Sequence, residues 1–151
     1  MSSSSIRSSI QHYERLIAQQ QDVINQQEDK LYELQILRST FVSKQSEFVT
    51  KQEQRKGFLG NILSKVNTVK IAQQFYNGML GLLTGNEHSK TSGEFDSCIS
   101  KIDKAIRECN DRIDEARRKI RSYRSTIDSL HAQLRAALQA EAAAAAAGGM
   151  Q

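Results

Sequence analysis

The side chains with reactive chemistry are few and scattered. His12, His88 and His131 stand far apart, and none has a carboxylate or thiol at a spacing that implies a proton relay or a nucleophile–base pair. His88 falls in a polar loop, so it reads as a solvated turn residue. Cys98 and Cys109 lie 11 residues apart on one predicted helix, roughly 16 Å at ~1.5 Å per residue. That is too far for a disulfide, and neither cysteine has metal-ligand spacing. Cys109 reads as a small buried hydrophobe, a usage that suits a reducing compartment. The stretch GMLGLLTG, residues 78–85, has three glycines but no Lys-Ser/Thr after them and no strand before them. It is therefore no phosphate loop. These residues predict no enzyme, no cofactor and no metal site.

The densest basic run is Arg117, Arg118, Lys119, Arg121 and Arg124. Such a run can meet an acidic partner, a membrane surface or nucleic acid. Here Asp111, Asp114, Glu115 and Asp128 surround it, so it reads as a solvated helix face. The net charge is +4, and acids and bases are mixed along the whole chain. A nucleic-acid binder concentrates its bases on one face, so no nucleic-acid partner is expected. The pairs Asp103/Arg107, Glu108/Arg112 and Asp114/Arg118 place an acid four residues before a base, which supports a helix.

The elements behind these residues are helical. The chain has 151 residues, no Pro and only 38% apolar residues, below the ~45–50% usual for a globular domain. Pro costs a helix interior roughly 3 kcal/mol, so its absence suits a chain that is nearly all helix. In the first segment, alternate steps of four and three from Ile6 pick out Ile6, Ile10, Tyr13, Ile17, Gln20, Ile24, Gln27, Leu31, Leu34, Arg38, Phe41, Gln45 and Phe48. The period is 3.5, the signature of coiled-coil packing. The last segment repeats it from Phe95 through Ile99, Ile102, Ile106, Cys109, Ile113, Ala116, Ile120, Tyr123, Ile127, Leu130 and Leu134 to Ala137, and every position is apolar. Gln20, Gln27, Arg38 and Gln45 interrupt the first seam and suggest control of register or partner.

The expected fold is all-α: an elongated antiparallel helical hairpin, coiled-coil-like, with a Gly-hinged apolar middle helix or tip. One domain spans 1–140, with arms at about 5–56 and 94–140, a middle helix at about 58–84 and a turn at 85–93. Ser5 is the expected N-cap and Gly85 the expected C-cap. Gly57 and Gly60 are expected to interrupt the first helix. From Gly57 to Asn86 the only charges are Lys65 and Lys70, so the middle segment should be covered. The tail at 141–151 is rich in Ala and Gly; its Ala run can prolong the last helix, but it has no seam to dock and should fray. The hairpin seam comprises Ile6, Ile10, Ile17, Ile24, Leu31, Leu34, Phe41, Phe95, Ile99, Ile102, Ile106, Ile113, Ile120, Ile127 and Leu130. Leu16, Val23 and Leu37 sit beside it and widen it. With Phe58, Leu59, Ile62, Val66, Phe75 and Tyr76 of the middle segment they form the candidate partner surface. No stretch approaches 18 uncharged apolar residues, so no stable membrane insertion is expected. The N-terminus lacks the apolar core of a Sec signal peptide.

A Ser-rich start, MSSSSIRSSIQHYERLIAQQQDVINQQEDKLYELQ, leads to a glycine-containing middle, and the chain closes on FDSCISKIDKAIRECNDRIDEARRKIRSYRSTIDSLHAQL. This layout, over residues 3–138, resembles the small α-helical proteins encoded with LXG-domain toxins of the type VII secretion system in Gram-positive bacteria. Those proteins are distant relatives of the WXG (Trp-Xaa-Gly) helical hairpins. The chain departs from the WXG pattern at two places. Phe58-Leu59-Gly60 stands where a Trp-Xaa-Gly bend would be, and Ile127 stands four residues after Tyr123, where an export motif would carry Asp or Glu. The resemblance implies a chaperone or targeting partner for the helical N-terminal region of an LXG toxin, acting alone or with a second small helical protein. It implies a cytoplasmic protein that is exported, if at all, with a partner that supplies the signal. The alternative is a self-associating structural coiled-coil adaptor, a homo-oligomer with no secretion role.

Overall fold

In the computed structural model the described residues are 2–66 and 70–149, with side chains described for all of these except 62–66, 70–73 and 76. They form three helices, α1 (Ser3–Val66), α2 (Lys70–Thr84) and α3 (Asn86–Gly149), with no strand among the described residues. The fold is an all-α antiparallel hairpin of coiled-coil type, and it divides into two compact units. Unit 1 holds residues 1–31 and 108–151, and unit 2 holds residues 32–107.

Local chemistry accounts for the helix ends. The Ser5 N–H donates to Ser2 Oγ at 3.2 Å, so Ser2 is the N-cap and α1 starts earlier than the expected cap at Ser5. Gly57 and Gly60 do not interrupt α1, which runs through both to Val66. A glycine in a helix costs roughly 0.5–1 kcal/mol relative to Ala, and the helix-forming neighbours on both sides absorb that. The middle segment is thus shared: its first part forms the last turns of α1, and Lys70–Thr84 form α2.

The expected turn at 85–93 shrinks to one residue. Only Gly85 leaves the helical state, and α3 restarts at Asn86 and runs through Gly93. The Thr84 hydroxyl donates to the Leu80 carbonyl at 2.7 Å, a back-bond of the kind that bends a helix. Gly85 is not in the left-handed conformation of the usual C-cap glycine. It is needed because a Cβ there would lie 2.4 Å from the Gly81 carbonyl oxygen. The Ser89 N–H then donates to the Gly85 carbonyl at 3.1 Å and starts α3. The Ala run prolongs α3 to Gly149.

In unit 1, α1 and α3 run antiparallel around two apolar clusters. Ile24, Ile113, Ala116 and Ile120 form one, with Ile17, Val23 and Leu31 packed against it. Ile6, Ile10 and Leu130 form the other, with Tyr13, Ile127, Leu134 and Ala137 around it. Tyr13 and Tyr123 meet across the arms with ring centroids 5.9 Å apart. In unit 2 the pairing is also antiparallel, but its contacts are mixed. Phe48 touches Phe95 and stacks on His88, with centroids at 5.9 and 5.3 Å. Two polar pairs join α1 to α3: Arg38 with Asp103 at 2.6 Å, and Gln45 with Asp96 at 2.7 Å.

Candidate protein-interaction surface

The seam residues are the fixed part of the surface, because they set which side of each helix faces out. Ile6, Ile10, Ile24, Ile102, Ile113, Ile120 and Leu130 are buried. Ile17, Leu31, Leu34, Phe41, Phe95, Ile99, Ile106 and Ile127 are half-buried. Cys109, at 1% exposure, is buried, and both cysteines are free. Cys98 lines a cavity of about 220 Å³ in unit 2 with Phe41, Thr91, Glu94 and Phe95.

The polar seam positions behave differently from one another. Arg38 is exposed and reaches out to Asp103. Asp103 was expected to pair along its own helix with Arg107; the cross-helix guanidinium takes it instead. The Gln45 side-chain amide donates to Asp96. Arg38 and Gln45 are one heptad apart, and so are Asp103 and Asp96, so the two pairs repeat the coiled-coil period in polar form. Gln27, and Gln52 beyond the end of that seam, are less well served: each has a buried side-chain oxygen with no hydrogen-bond partner among the described residues. His88 is a correction to the expected solvated turn residue. It is half-buried on α3, stacked on Phe48, and its Nδ1 is buried without a partner among the described residues.

The candidate partner residues separate on burial. Leu37, Phe58 and Phe75 are exposed, Phe58 to 65%. Leu59 is 4% exposed and so belongs to the interior of unit 2. Leu16 and Val23 are half-buried, and Val23 packs against the unit 1 core and so widens it. The side chains of Ile62, Val66 and Tyr76 lie outside the described ones. The sequence reading missed Tyr32, Ile36, Val42, Val49 and Leu82, all exposed, with Tyr32 at 66% and Leu82 at 65%. Tyr32 and Ile36 lie one turn apart on the side of α1 opposite the seam, beside Ser39, Thr40 and Ser43, and together they line an open groove. Apolar residues a half-turn off a 3.5 period were the available signal.

Every one of these exposed large apolar side chains lies within residues 32–107, and Leu138 is the one counterpart in unit 1 among the described residues. The basic run in unit 1 is exposed, with Arg117 facing Glu28 at 3.7 Å and Lys119 facing Glu115 at 3.5 Å. Among the described residues no group of three His, Cys, Asp or Glu could hold a metal ion, and no helix is long and apolar enough to cross a membrane. No protein-family model, curated protein or solved structure matches the chain.

Proposed function

We propose that this chain is a non-catalytic binding module, a chaperone or targeting partner for the helical N-terminal region of an LXG-type toxin in type VII secretion. It binds that region alone or with a second small helical protein, in the cytoplasm, and leaves the cell only in company with its cargo. The observation that carries this reading is the gathering of exposed apolar side chains in unit 2. Its arms meet over a buried to half-buried apolar seam and through Arg38–Asp103 and Gln45–Asp96, while Tyr32, Ile36, Leu37, Phe58, Phe75 and Leu82 remain exposed. Large apolar side chains left exposed in one part of a protein are a mark of an interaction site. An amphipathic partner helix would cover it by burying i, i+3 and i+4 anchors, with no chemistry.

Co-expression with an LXG-domain protein, followed by co-purification in mild salt, tests the proposal. The two should elute together, and Ile36→Asp and Phe58→Asp should separate them while leaving helicity unchanged. Separate elution of the unaltered proteins defeats the toxin-partner reading. The same exposed residues also suit a second copy of the chain. Light scattering that finds a stable homodimer indifferent to the toxin would favour the structural adaptor.

A further inference from the structure

Residues 139–149, QAEAAAAAAGG, carry a single charge, Glu141. It stands four residues beyond Ala137, where the apolar seam stops. A short Ala run in water is a marginal helix on its own, yet α3 continues to Gly149. Glu141 uses both carboxylate oxygens on one residue of α1. The Ser3 N–H donates to Oε1 at 3.0 Å, and the Ser3 hydroxyl donates to Oε2 at 2.8 Å. Ser3 is buried, and it is the first residue of α1. The first N–H groups of a helix have no partner inside it and present its positive end. Capping is divided here: Ser2 Oγ accepts from Ser5, and a carboxylate 138 residues away accepts from Ser3.

We propose that Glu141 is a latch that caps α1 in cis, holds the last turns of α3 against the first turn of α1, and fixes the register of unit 1. Coiled-coil registers that keep the seam apolar differ by a heptad, roughly 10 Å along the axis. Seven residues before Glu141 is Leu134 and seven after is Gly148, and neither carries a carboxylate. The paired bonds to Ser3 therefore exist in one register only. Arg7, one turn further along α1, adds attraction to the same carboxylate. The latch is independent of any partner.

Hydrogen exchange on the full chain tests it, with rates read relative to those of residues 113–120 so that general destabilisation is not counted. Ala is a better helix former than Glu, so if propensity alone held the tail, Glu141→Ala would slow its exchange or leave it unchanged. The latch requires the opposite: roughly two- to fivefold faster exchange over 139–149 and over the first turn of α1, the scale of a helix-terminus charge interaction. Ser3→Pro removes both donors at a helix position that tolerates proline, and it should speed the same two segments. Acceleration in both segments with both variants supports the latch. Unchanged or slower exchange in the tail of Glu141→Ala, or acceleration confined to one of the two segments, overturns it.

Discussion

Units 1 and 2 are built from the same two long helices with the same 3.5-residue period, and they fill it differently. In unit 1 the seam, apart from Gln20 and Gln27, is apolar or aromatic and forms two apolar clusters. In unit 2 the arms meet over a seam that is mostly half-buried, with Phe48 against Phe95 and His88, and add an Arg–Asp pair and a Gln–Asp pair. Further apolar side chains of unit 2 remain exposed. Periodicity fixes only which residues face each other. What occupies those positions decides whether a segment is sealed or left with apolar surface to share. Arg38 and Asp103 are each more than a third exposed, so their pair contributes at most about 1 kcal/mol. A buried Ile contributes roughly 1.5–3 kcal/mol.

The largest effect expected from this contrast comes from placing one charge in each unit. Ile113→Asp puts an unpaired carboxylate in the unit 1 core, at a cost of about 3–5 kcal/mol. The hairpin should lose its cooperative urea transition as followed by circular dichroism. Ile36→Asp, on the outer face in unit 2, should change stability by only about 0.5 kcal/mol and act on partner binding. Equal losses of stability at the two sites would erase the distinction between the units.

The glycines give the next largest effect. Gly85→Ala drives a Cβ to within 2.4 Å of the Gly81 carbonyl oxygen, so the backbone must move. About 1–3 kcal/mol of destabilisation is expected in thermal melts. Gly57→Ala and Gly60→Ala meet nothing within 4 Å inside α1 and should each stabilise by roughly 0.5–1 kcal/mol. A loss of stability at position 57 or 60 would restore the hinge that the structure removes.

A smaller change would make unit 2 resemble unit 1. Gln45→Leu exchanges an exposed hydrogen bond for an apolar seam residue and should raise stability by about 0.5–1 kcal/mol. It should also loosen discrimination between partners, because polar seam positions specify pairing at a cost in stability. A lower urea midpoint for Gln45→Leu would mean that the Gln45–Asp96 contact stabilises unit 2 more than an apolar layer does.

The legible parts of this molecule were those decided by short-range repetition. The seam from Phe95 to Ala137 is a helix-face property, and every residue on it is buried or half-buried. Gly85 could not be told from Gly57, because the difference is a 2.4 Å approach to a carbonyl that depends on the backbone path. Val23 looks like a spare apolar residue until the α3 core it packs against is in place. His88 reads as loop while its neighbours TGNEHSKTSG are polar, and only Phe48, 40 residues earlier, draws it inward. Glu141 is the extreme case: its partner is 138 residues away, and nothing beside it in the sequence announces the contact.

The smallest expected effect concerns that carboxylate and distinguishes the end of unit 1 from everything in unit 2. The Glu141 carboxyl is held below its ordinary range, first by the Ser3 N–H, then by the Ser3 hydroxyl, with Arg7 adding attraction and desolvation opposing them. A group whose pKa is lower folded than unfolded stabilises fully above its unfolded value. That contribution is lost as pH falls through the lowered folded value. Tail protection over 139–149 should thus hold from neutral pH down to the ordinary glutamate range and fade below it. Other carboxylates also protonate there, so the informative quantity is the difference between the unaltered chain and Glu141→Gln. Glutamine has no charge to lose, so its tail should exchange faster at neutral pH and converge with the unaltered chain in acid. Parallel curves for the two would mean that the carboxylate charge does not hold the tail, and that unit 1 is closed by its apolar seam alone.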